Sequence, residues 1–97
     1  MTVTLMWEAA AAEGRGGELL TWAREQAAAL PGEPRRREFL TAPGDRVLVL
    51  TWWDAPYAAK LPELTDPPSV LVRREVHRWR FVSVSVEPGD ENAHHPG

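Results

Sequence analysis

The sequence predicts an α+β fold in which a four-stranded antiparallel sheet carries helices on one face. The order is strand, helix, strand, strand, short helix, strand: the ferredoxin-like β-α-β-β-α-β arrangement. Three observations lead there. Thr2 to Ala9 alternates with period two, the mark of a strand. Glu18 to Leu30 repeats apolar residues at helical spacing. Arg46 to Trp53 is apolar at both odd and even positions, so both faces of that strand ask for burial.

Taken in order, strand one sets Val3, Leu5, Trp7 and Ala9 on one face and Thr2, Thr4, Met6 and Glu8 on the other. Glu13-Gly14-Arg15-Gly16-Gly17 then interrupts regular structure. In the helix that follows, Leu19, Trp22, Ala23, Ala27 and Leu30 form the apolar stripe, with Arg24 and Glu25 outward, and Pro31-Gly32 stops it. Arg35 to Thr41 reads as strand two, Ala42-Pro43-Gly44-Asp45 as a hairpin turn, and Arg46 to Trp53 as strand three. Between Asp54 and Ser69, Ala55, Tyr57, Leu61 and Leu64 predict one or two helical turns, while Pro56, Pro62, Pro67 and Pro68 forbid a longer helix. From Leu71 the chain is extended again, with His77, Trp79 and Phe81 on one face. The apolar parity then changes to Val82, Val84 and Val86, the sign of a bulge or of a change of packing partner. Residues 1–86 thus form one domain and 87–97 a flexible tail.

One helix of this length covers one sheet face, so the doubly apolar third strand calls for a second copy of the chain over the other: a homodimer. With 43% hydrophobic and 26% charged residues the composition is that of an ordinary globular domain. No segment reaches the about 20 apolar residues of a membrane span. The start of the chain lacks the basic and apolar regions of a signal peptide, and cysteine is absent, so a cytoplasmic protein without membrane attachment is expected. The arginine clusters 35–37 and 73–80 are interleaved with Glu33, Glu38 and Glu75, and the net charge is −3, which argues against nucleic acid and for ion pairs on solvated strands.

The third-strand ending Thr51-Trp52-Trp53-Asp54 and the last-strand run His77-Arg78-Trp79-Arg80-Phe81-Val82 resemble the dimeric α/β-barrel superfamily, and within it the antibiotic biosynthesis monooxygenase-like domains. The resemblance spans roughly Thr2 to Val86 and rests on element order and length. It implies two sheets facing each other as a barrel with the helices outside. It also implies oxygenation of a small aromatic or polyketide-like molecule without metal or flavin, so no cofactor is expected. Haem degradation is disfavoured: the only asparagine is Asn92, and the Asp54 to Ser69 segment has neither tryptophan nor histidine.

For such chemistry the candidate catalytic residues are His77, an imidazole able to take a phenolic proton near neutral pH, and Tyr57, able to donate to a carbonyl. Trp79 and Phe81 are the candidate ligand-binding residues, as stacking walls. Each also has a structural role open to it: His77 as a hydrogen-bonded strand histidine, Tyr57 as an anchor for the short helix, and Trp79 and Phe81 as core aromatics. Trp53 is assigned to packing. His94-His95 lack a further ligand at suitable spacing, so no metal site is expected. Gly14 to Gly17 is a weak anion-binding turn. The alternative to an enzyme is a non-catalytic dimeric module that binds a small ligand or serves as a structural partner. A cavity of roughly 300 Å³ between sheet and helices would favour the enzyme, and a core closed by Trp7, Trp22 and Trp79 the module.

Overall fold

A computed structural model describes residues 1–89. Its elements are β1 (Thr2–Ala10), α1 (Gly16–Ala29), β2 (Arg36–Ala42), β3 (Arg46–Asp54), a 3-10 turn (Ser69–Leu71) and β4 (His77–Val82). The sheet runs β2-β3-β1-β4, antiparallel at every junction. β3 is thereby inserted between β1 and β2, the two strands joined through α1. This α+β arrangement, with a single α-helix among the described residues, is compatible with the ferredoxin-like fold.

The register decides which side chains share a face. Trp7 stands between Val49 of β3 and Arg78 of β4, and Val49 stands opposite Phe39 of β2. On this covered face Val3, Leu5, Trp7, Ala9, Val47, Val49, Thr51 and Trp53 are buried, as the period-two reading of β1 and β3 required. α1 applies Leu19, Ala23 and Ala27 to the same face. Two alanines in that stripe let the helix lie close to the sheet, and the Trp7 and Trp22 rings, stacked with centroids 6.0 Å apart, fill the space beside it. Trp53 Nε1 donates to Thr51 Oγ1 at 2.9 Å, so two buried polar groups satisfy each other. Trp7 Nε1 is buried with no hydrogen-bond partner among the described residues.

The helix starts earlier than its apolar stripe, at Gly16, and ends at Ala29 because Pro31 pushes Leu30 into extended backbone (φ −63°, ψ 136°). Its start is set by Asp45, in the β2–β3 turn: Gly14 N donates to Asp45 Oδ2 at 3.2 Å, and a Cβ on Gly16 would lie 2.8 Å from Asp45 Oδ1. One amide of the glycine-rich turn, that of Gly14, is thus taken up by the chain's own Asp45. Gly44 and Asp45 carry the positive φ values of that turn, 83° and 55°.

Two expectations are corrected. No helix forms between Asp54 and Pro68: the segment has one hydrogen-bonded turn, Ala59 N to Pro56 O at 3.0 Å, and a 3-10 turn follows at Ser69–Leu71. Four prolines remove the needed amides, and the carbonyls a helix would have paired internally go elsewhere. Arg78 Nη1 donates to Leu64 O at 2.6 Å, and Arg80 Nη1 to Tyr57 O at 2.6 Å and Ala59 O at 2.7 Å. The segment still covers the sheet, inserting Leu61 and Leu64 beside the two hydrophobic clusters. The last strand is also shorter than the extended run suggested, spanning His77–Val82, because β1 runs out: Val82 faces Val3 and Ser83 N reaches Thr2 O at 2.8 Å. The parity change marks the strand's end. Of the expected tail, 87–89 have no regular structure, and 90–97 lie outside the described residues.

Candidate functional site

The second sheet face has no covering element among the described residues. Register assigns it three rows. Arg36, Trp52, Thr4 and Phe81 lie across one end; Glu38, Leu50, Met6 and Trp79 across the middle; Leu40, Leu48, Glu8 and His77 next. Leu48, Leu50 and Trp52, the half of β3 predicted to need a second cover, are only partly buried here, by one another. Trp79 is 46% and Phe81 51% exposed. Neither aromatic is in the core, so their core reading is set aside by position. The open face is a continuous apolar surface bordered by Arg36 and Glu38 on one side and the Glu8 cluster on the other.

Glu8 is the polar centre of this face. Its carboxylate is largely shielded by its neighbours and accepts from Arg74 Nη2 at 3.0 Å, with Arg46 Nη1 at 3.5 Å and His77 Nδ1 at 3.3 Å. Two guanidinium groups offset its charge, which is how a carboxylate stays in so sheltered a place. His77, directly opposite in β4, is half exposed and meets the Trp79 ring edge-on, centroids 5.3 Å apart. The Glu8 carboxylate thus lies beside the Nδ1 side of the ring, with Nε2 on the far side of the imidazole from it.

The structure thus brings His77, Trp79 and Phe81 together along one face of β4 and places Tyr57 elsewhere. Tyr57 is half exposed and tied to Arg80, whose guanidinium lies 5.9 Å from its ring. Arg80 stands opposite Leu5 on the covered face, so Tyr57 and His77 are attached to opposite sides of β4. Glu8, Arg46 and Arg74 were not singled out from sequence. The available signal was a lone carboxylate on the Met6 face of strand one, which needs cationic company if that face is apolar.

The arginine clusters are only in part the ion pairs predicted. Arg36 pairs with Glu38 at 2.9 Å and Arg78 with Asp66 at 2.9 Å. Arg73 and Arg80 instead serve carbonyls, Arg73 Nη1 reaching Ala11 O at 2.9 Å and Gly44 O at 2.7 Å. Among the described residues no group of three or more metal-type side chains converges; His94-His95 fall outside them.

Beside Trp7, between the sheet and the irregular segment that follows β3, the room is about 10 Å³, lined by Leu5, Trp7, Thr51, Leu64 and Arg78 among others. That is far below the about 300 Å³ of a ligand cavity. The larger hollows are open clefts, among them one of about 340 Å³ between the start of α1 and the β2–β3 hairpin, bordered by Gly17, Leu20, Ala42 and Val47. One of about 550 Å³ is bordered by Asp66, Ser69, Arg74 and Val76, and one of about 470 Å³ by Thr2, Arg36, Trp52, Ser83 and Val86 at the rim of the open face. No described helix is long and apolar enough to cross a membrane. No family model matches the chain, and no curated protein or solved structure does.

Proposed function

We propose that the chain works as a homodimer of the dimeric α/β-barrel type, resembling antibiotic biosynthesis monooxygenase-like domains, and that the dimer is a binding or structural module. One observation carries this reading: an apolar sheet face with Met6, Leu50, Trp52, Trp79 and Phe81 stands uncovered, while the space under the sheet beside Trp7, which stacks on Trp22, is filled to about 10 Å³. Exposed apolar surface of this kind marks an interaction site. Any small aromatic ligand would then meet Trp79 and Phe81 at the sheet face. Sedimentation at micromolar concentration tests the dimer; a persistent monomer of 10.9 kDa removes it. A thermal-shift screen of small aromatic molecules tests the ligand, a rise in melting temperature supporting binding and no rise favouring the structural role.

A second reading is favoured by one arrangement, the Glu8–His77 pair beside Trp79. In it the protein is a cofactor-independent monooxygenase. His77 takes the proton of an electron-rich phenol with Glu8 beside the imidazole, Trp79 and Phe81 stack on the ring, and the resulting anion reacts at its ring CH2 carbon with dioxygen, one oxygen atom becoming a new carbonyl and the other leaving as water. Tyr57, held on the other side of β4, has no part in that step. Oxygen consumption with anthrone- or naphthol-type substrates, slowed about a hundredfold by His77→Ala, would establish this reading. No turnover across such a panel leaves the module.

A further inference from the structure

The end of the open face at Trp52 is chemically unlike its middle. There a cleft of about 470 Å³ is lined by Thr2, Arg35, Arg36, Trp52, Ser83 and Val86. Two hydroxyls, two guanidinium groups, an indole and an aliphatic side chain thus meet where the register brings the start of β1 beside the ends of β3 and β4. Backbone pairing fixes most of this wall. Arg36 stands opposite Trp52, Arg35 N donates to Trp52 O at 2.7 Å, and Ser83 N donates to Thr2 O at 2.8 Å.

The two arginines differ in what they still offer. Arg36 is engaged: Nη2 donates to Glu38 Oε1 at 2.9 Å, and the guanidinium lies 5.0 Å from the Trp52 ring centroid. Arg35 Nη1 donates to Thr2 Oγ1 at 3.1 Å, a neutral acceptor, and among the described residues no carboxylate pairs with it. The bond to Thr2 steadies the guanidinium while its remaining N–H groups stay available to a second acceptor, and the Thr2 hydroxyl keeps its own proton to donate. A planar fork of this kind matches a carboxylate in two parallel hydrogen bonds, and the half-buried indole beside it offers ring surface. One uncompensated positive charge suits a monoanion, and the volume lies within the about 300–1,000 Å³ of small-ligand sites. We propose that this cleft binds a small aromatic carboxylate, its anionic head on Arg35 and the Thr2 and Ser83 hydroxyls and its ring against Trp52 and Val86. This rests on the ligand-binding part of the reading above and deepens it, naming the ligand as an acid and seating it at the Trp52 end of the face, away from Trp79.

Titration calorimetry on the full chain tests it, with naphthoate as the probe and naphthamide as its neutral counterpart. Naphthoate should bind, and the amide at least about tenfold more weakly. Arg35→Gln should weaken naphthoate about tenfold or more, and Arg35→Lys should recover only part of that, since the charge returns without the fork. Arg35 is exposed and lies outside β2, so both variants should keep the wild-type circular dichroism. Trp79→Ala, in the middle of the face, should leave naphthoate affinity unchanged. Equal affinity for acid and amide, or an Arg35→Gln chain that binds naphthoate as wild type does, overturns the site. Loss of binding in Trp79→Ala but not in Arg35→Gln overturns it too, while keeping a ligand on the face. No binding of naphthoate where the thermal-shift screen finds a neutral aromatic ligand overturns the acid site alone, and no binding of any aromatic molecule overturns both it and the ligand-binding reading.

Discussion

Arg80 holds Tyr57 by its backbone: one guanidinium nitrogen donates to Tyr57 O at 2.6 Å and to Ala59 O at 2.7 Å. Arg78 does the same for Leu64 O and pairs with Asp66. Together these arginines of β4 fasten an irregular segment where a second helix was expected. A hydrogen bond to a charged donor contributes about 1.5–3 kcal/mol, more than a neutral one, which is why two side chains suffice.

Arg80→Ala should therefore release the segment more than it destabilises the sheet. Lys60, the chain's one lysine, lies just beyond the fastened carbonyls and gives a single cleavage point for a lysine-specific protease. Cleavage in the variant should be at least about tenfold faster than in wild type, while urea unfolding shifts by about 1–3 kcal/mol. Unchanged cleavage would show that Leu61 and Leu64 alone hold the segment.

Trp7→Phe separates two contributions of one buried side chain. The indole N–H has no partner among the described residues, and leaving such a donor dry costs about 1–3 kcal/mol. Phenylalanine removes that cost but also loses ring volume and part of the stack on Trp22. The net change should stay within about 1 kcal/mol, whereas Trp7→Ala should cost about 3–5 kcal/mol. Chemical denaturation checks both, and a large loss in Trp7→Phe would mean that the N–H is satisfied.

The sheet was legible in the sequence because its signals are local. Period two in Thr2 to Ala9, the turn at Pro43-Gly44-Asp45 and the doubly apolar third strand fixed β1, the hairpin and the face assignments of Val47, Val49 and Trp53. The segment 55–68 was not legible. Ala55, Tyr57, Leu61 and Leu64 have enough apolar character for a helical turn; the prolines remove its amides, and the path taken instead is set by hydrogen bonds from Arg78 and Arg80, more than ten residues away. The candidate site divides in the same way. His77, Trp79 and Phe81 share a face by alternation alone, while the Glu8 partners Arg46 and Arg74 depend on pairing register and a chain reversal that no local pattern encodes.

Glu8→Gln tests the polar centre of the open face. The amide keeps the shape but leaves Arg46 and Arg74 clustered without a countercharge. Stability should fall by about 1–3 kcal/mol. Restoring the original local charge with the additional change Arg74→Gln should recover part of that loss, since contacting residues couple. Losses that simply add would show that Glu8 and Arg74 do not act on each other.

Neighbouring residues of β3 give the sharpest test of the two-faced sheet. Val49 faces α1 and is 1% exposed, while Leu50 faces the open side between Met6 and Glu38. An aspartate at 49 is buried without a partner, so Val49→Asp should abolish cooperative unfolding. In an isolated subunit an aspartate at 50 stays in reach of water, so Leu50→Asp should leave circular dichroism unchanged. In a dimer built on this face the same charge is buried, and sedimentation should find the Leu50→Asp chain as a folded monomer at concentrations where wild type is paired. A Leu50→Asp chain that still dimerises as wild type does would move the interface away from the open face altogether.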